Sequence, residues 1–136
     1  MRTIETITVD DARRVVDAGE KEATNQGQPM NIAVVDAGGI LVAFVRQDNA
    51  WIGSVDVAIN KAFSARAFDI STQALGENAT PGGQFYGIQD SNHGRIMIFG
   101  GGVPLMHGDD VVGAVGVSGG TSEQDQAVAA AAAAAL

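Results

Sequence analysis

The 136 residues are enough for one domain with its own core, and they carry 16 acidic against 8 basic side chains and no cysteine. A net charge of −8 without a basic stripe repels phosphate backbones and anionic lipid, which excludes nucleic-acid and membrane partners. Disulfides, thiolate zinc sites and a cysteine nucleophile are excluded too, and no stretch reaches the roughly 18 apolar residues of a membrane span.

The first residues hold no apolar run of signal-peptide length, so a cytoplasmic protein is expected. Thr8 is a helix N-cap, with Asp11 three residues on. Ala12, Val15, Val16, Gly19 and Ala23 recur at helical spacing, which predicts an amphipathic helix over 9–25. Asp10 with Arg14 and Asp17 with Lys21 form i,i+4 pairs on its wet face. Two β-branched runs, 31–35 and 40–45, flank Asp36-Ala37-Gly38-Gly39 and predict a hairpin. The runs are nearly continuous rather than alternating, so both sheet faces should be covered. Ser54 is expected to cap a second helix whose apolar stripe is Val55, Ala58, Ile59, Ala62, Phe63 and Ala65. Asn60, Lys61 and Arg66 fall elsewhere on that wheel.

Residues 72–92 read as a long irregular loop, with a short helix near 71–76. Strands are predicted over 95–99, 103–106 and 111–117, with a turn at His107-Gly108-Asp109-Asp110. Thr121 with Gln124 has capping-box spacing and opens a last helix, which runs through seven alanines to Leu136. The order of elements predicts an α/β (α+β) fold over a single domain, 1–136: a five-stranded antiparallel sheet with flanking helices. A last helix with no polar side chain from Ala127 onward predicts burial against a sheet or a second subunit, hence a homo-oligomer.

Several groups could carry chemistry. Gly116-Val117-Ser118-Gly119-Gly120 has the G-x-S-x-G pattern, but no histidine follows Ser118, so it reads as a glycine turn into a helix. The amides of Gly119, Gly120 and Thr121 precede a helix N-terminus, where a carboxylate is welcome. The run Gly100-Gly101-Gly102 allows close backbone approach. His93 and His107 are the only histidines and lack zincin spacing, but one imidazole suffices as a haem axial ligand. Lys61, Arg66 and Arg95 could pair with a ligand carboxylate, Tyr86 and Trp51 could stack on a flat ligand, and Asp36 or His93 could move a proton.

Four segments carry a resemblance: Asn31-Ile-Ala-Val-Val-Asp-Ala-Gly-Gly39, Ala58-Ile-Asn-Lys-Ala-Phe-Ser-Ala65, Gly100-Gly-Gly-Val-Pro-Leu105 and Val112-Gly-Ala-Val-Gly-Val-Ser-Gly-Gly-Thr-Ser-Glu-Gln-Asp125. In order and spacing they resemble the GlcG/HbpS family, which includes OrfY proteins and the C-terminal domain of PduO. Pro81-Gly-Gly-Gln-Phe-Tyr-Gly87 is similar to the OrfY-like branch. The resemblance implies a profilin-like α/β sandwich, self-assembly and haem as a cofactor in some members. Three readings follow: a haem- or tetrapyrrole-binding protein; a metal-free enzyme acting on a small carboxylate, hydroxy acid or diol-related metabolite; and an oligomeric accessory subunit.

Overall fold

The computed structural model describes residues 1–136. It has four helices, α1 (Val9–Gln26), α2 (Gly53–Phe68), α3 (Thr72–Glu77) and α4 (Ser122–Ala133), and four strands, β1 (Asn31–Asp36), β2 (Leu41–Arg46), β3 (Gly102–His107) and β4 (Asp110–Ser118). The strands form one antiparallel sheet in the order β2-β1-β4-β3. No helix is long and apolar enough to cross a membrane.

The sheet is covered on both faces, as the continuous apolar runs require. Ile32, Val34, Val115 and Val117 point to one side, where they pack against Ala12, Val15 and Val16 of α1 and Val128, Ala129 and Ala132 of α4. The alternating residues Ala33, Val35 and Ala114 point to the other side and meet Ala58, Ala62 and Ala65 of α2. That second interface is built from alanines and glycine, so α2 lies unusually close to the strands. A Cβ on Gly116 would strike the Ala58 carbonyl and the Ala62 amide. The alanine-rich α4 packs on α1 for the same reason, with Ala132 against the bare Gly19.

The helix starts obey local rules. Thr8 Oγ1 accepts from the Asp11 amide and Asp11 Oδ2 accepts from the Thr8 amide, a reciprocal capping box. Thr121 and Gln124 repeat it at α4. On α1 the ion pairs are Asp10–Arg13 and Asp11–Arg14, at i,i+3 rather than the expected i,i+4.

Three expectations are corrected. The sheet has four strands, not five. Residues 95–99 lie against α2 instead of joining it: Ser64 Oγ accepts from the Met97 amide, and its hydroxyl proton is shared between the Asn60 carbonyl (2.7 Å) and the Arg95 carbonyl (3.2 Å). A helix side chain thus satisfies backbone groups that a neighbouring strand would otherwise have satisfied. The helix α2 starts at Gly53 after the uncapped Ile52, which places Ser54 inside the helix and buried. Lys61, outside the apolar stripe on the wheel, is 0% exposed. It falls one turn after Ala58 and one before Ala65, on the face turned to the sheet.

Candidate functional site

Lys61 reaches through the sheet end toward α4. Its Nζ donates to the Val117 carbonyl (2.8 Å) and to Asp125 Oδ2 (2.9 Å), and sits 4.9 Å from the centre of the Phe99 ring. Burial pushes the lysine below its usual range, while Asp125 pulls it back up. The other carboxylate oxygen of Asp125 accepts from the Gly120 amide (2.9 Å), and the Thr121 amide donates to Gln124 Oε1. Lys61, Gly119, Gly120 and Thr121 are therefore brought into one neighbourhood, but the two amides and the ammonium are met by the chain's own Asp125 and Gln124. The glycine run beside it is pinned as well. Gly100, Gly101 and Gly102 donate to Ser122 Oγ, Gln126 Oε1 and Thr72 Oγ1. Gly101 has φ +125°, and a Cβ there would meet the Val117 carbonyl and lie 2.8 Å from Lys61 Nζ, so only glycine lets the lysine in.

The remaining candidates lie apart. Arg66 donates through Nε to the Ala37 carbonyl (2.7 Å) and pairs with Asp69 (2.6 Å). Asp36 Oδ1 accepts from the Gly38 and Ile40 amides and shapes the hairpin turn. Arg95 stacks on Phe63, 3.8 Å from the ring centre, and its Nε donates to the Asn92 carbonyl. This fixes a turn in which Asn92, His93 and Gly94 are all left-handed, with φ of 52°, 59° and 76°. His93 and Tyr86 are exposed at the surface, as is Trp51. None of Lys61, Tyr86, His93 or Arg95 lines a cavity.

His107 does. It ends β3 on the wall of a cavity of about 280 Å³ between the N-terminal segment, the β3–β4 hairpin and the C-terminus. Ile7, Met106, Val112 and Leu136 supply apolar wall, and Asp11 and Arg14 of α1 stand on the polar side. A register shift between Leu105 and Met106 breaks the strict alternation of β3, and both Met106 and His107 line the same cavity. The N-terminal segment is tied down by two hydrogen bonds, Ile7 amide to Val112 carbonyl and Ala37 amide to Thr6 Oγ1. That brings Glu5 Oε2 to 2.8 Å from His107 Nδ1. Both side chains are exposed, and a carboxylate beside Nδ1 favours the tautomer with the proton there and the Nε2 lone pair free, the arrangement that protein-bound metal ions use.

The sequence offers His107 beside His93 as a candidate ligand, and it carries no sign of the partner that His107 meets in the fold. Glu5 lies 102 residues away in the chain. Only the tertiary path of an irregular segment joins the two, and no spacing reports that. Lys61 stands out in the sequence as a cation for a ligand carboxylate, but its partner in the fold is Asp125, 64 residues away.

A family model described as "Haem degrading protein HbpS-like" matches residues 7–134. The chain belongs to the HbpS-like family. Within it, a 15.0 kDa protein of the dhaT-dhaS intergenic region of Citrobacter freundii is 41% identical over 126 residues, which is 93% of this chain and 89% of that protein. The Klebsiella pneumoniae protein ORFY superposes with a TM-score of 0.96 at 41% identity, over 99% of this chain and 93% of its own. Another HbpS-like structure, a PduOC:heme complex, superposes with a TM-score of 0.92 at 30% identity, over 96% and 95% of the two chains.

Proposed function

We propose that this HbpS-like chain binds haem and that His107 is the iron ligand. The observation that carries the reading is the Glu5–His107 contact on the wall of a half-apolar cavity. The donor set suits the group: an oriented imidazole for iron, apolar side chains for the macrocycle, and the Arg14 guanidinium for a propionate. The volume lies just below the roughly 300–1,000 Å³ of small-ligand sites, so the cavity houses one edge of a porphyrin rather than the whole ring. When bound, haem supplies an iron centre for ligand or electron chemistry. The chain's part is to present Nε2, favour the proton on Nδ1 through Glu5, and offer Ile7, Val112 and Leu136 as apolar contacts for the ring edge. His93 is the lesser candidate, since its ring has neither a cavity nor an orienting partner. Support also comes from the family's haem-related description and the haem-bound PduOC relative.

The test is a hemin titration followed by absorbance. A saturable Soret band is expected for the wild type and for His93→Ala. It should be lost in His107→Ala, and shifted or weakened by about 10- to 100-fold in Glu5→Gln. A band that His107→Ala leaves unchanged would remove His107 as ligand. No specific band in the wild type would remove the haem reading.

A further inference from the structure

A second cavity, of about 340 Å³, opens on the other side of the N-terminal segment. Its charged lining is Arg2, Glu5, Arg66, Asp69 and Asp110. Pairing within the chain accounts for part of that charge. Asp69 is held by Arg66, while Glu5 is hydrogen-bonded by the His107 ring and keeps its negative charge. Arg2 and Asp110, both exposed, form no ion pair in the chain, so with Glu5 the lining carries one uncompensated cation and two carboxylates. The Arg66 fork is fixed at Nε by the Ala37 carbonyl and at one terminal nitrogen by Asp69, and its other terminal nitrogen has no partner in the chain. Thr3 and Ile4 also line the space, and their amides make no hydrogen bond in the chain.

We propose that this cavity binds a small zwitterion, a molecule with one carboxylate and one primary ammonium. The carboxylate would lie on Arg2 and the free edge of Arg66, with the Thr3 and Ile4 amides as further donors, and the ammonium on Asp110. A simple anion satisfies the cations but leaves Asp110 facing like charge, and a simple cation has the reverse fault with Arg2. A molecule bearing both charges meets both sets. Arg66 is pre-oriented by its two internal bonds, so little freedom is lost when its remaining edge is engaged. The cavity volume lies at the low end of the roughly 300–1,000 Å³ of small-ligand sites, which has room for a small metabolite. The site lies across the N-terminal segment from the His107 cavity, with Glu5 in the lining of both, and its charges do not depend on haem.

The experiment is calorimetric titration of glycine, β-alanine and 4-aminobutyrate, which span three charge separations, into the wild type. Butyrate and n-propylamine are the singly charged controls. One amino acid is expected to bind saturably, with each control weaker by at least about tenfold, the loss of one charge-assisted hydrogen bond. Asp110→Asn and Arg2→Gln change surface residues and should fold normally, and each should weaken that binding by about tenfold or more. Arg66→Gln serves as a third variant, with its melting temperature checked because Arg66 also braces the hairpin turn. No binding by any of the three amino acids would overturn the proposal. So would equal binding by butyrate, or affinity unchanged in Asp110→Asn and Arg2→Gln. The hemin titration is unaffected by either result, so failure here and failure of the haem reading are told apart.

Discussion

Removing either partner of the Lys61–Asp125 pair leaves a charge in the interior without its counter-ion. The pair itself is costly to bury, because both groups give up water. Its value is positional: it joins the middle of α2 to the end of β4 and the start of α4. Lys61→Met or Asp125→Leu alone should each cost about 3–5 kcal/mol, read from the urea midpoint. The double variant should lose much less than the sum, since the orphaned charge is gone and apolar volume replaces it. Some loss should remain, because the Gly120 amide loses its acceptor as well, at about 1–3 kcal/mol. Strictly additive losses would show that the two side chains do not act as a pair.

At the scale of whole elements, caps and periodicity made most of the fold legible. The α1 start was readable because a capping box needs only four adjacent residues. The same box gives a pH prediction. Hydrogen bonds from the Thr8 amide and hydroxyl, and then from Arg14, hold the Asp11 carboxyl below its usual range. A carboxyl lowered in the folded state contributes stability that is present above its unfolded value and lost as pH falls through the folded value. Asp11→Asn should therefore melt lower than the wild type at neutral pH, with the gap closing as pH falls through and below the ordinary carboxylate range. A gap that stays constant to low pH would mean that Asp11 acts only as a neutral acceptor. The misreadings came where long-range contacts overrode local pattern. Residues 95–99 have strand composition, but Ser64 takes up their backbone groups. Lys61 is polar, yet an acid 64 residues away allows it inside. The candidate site was legible one residue at a time, His107 and Arg66 among them. Which residues shared a cavity depended on the path of residues 2–7, which have no repeating pattern to read.

At the scale of the whole molecule, α2 and the neighbouring edge strand leave apolar side chains uncovered. The helix α2 buries its alanines on the sheet, yet it also presents Val55, Ile59 and Phe63 half-buried on its flanks and Ile52 81% exposed, with Trp51 at 61% just ahead of it. Phe44 and Ile59 both pack against the alanine cluster, and Ile40, at 67% exposure, precedes β2, an edge strand of the sheet. A helix apolar on both sides is normally buried on both sides. We propose that a second copy of the chain covers this face, since a two-fold axis beside β2 would pair the free edges and join the apolar surfaces at once. At a net charge of −8 two copies repel one another, and salt screens that repulsion. Association should therefore tighten as ionic strength rises, the opposite of an interface held by ion pairs. Light scattering at micromolar concentration should give at least a dimer mass, and Ile52→Asp should lower it towards the monomer, most visibly at low salt. A monomeric wild type at all salt concentrations would overturn the proposal. A multimer that Ile52→Asp leaves intact would move the interface to another face.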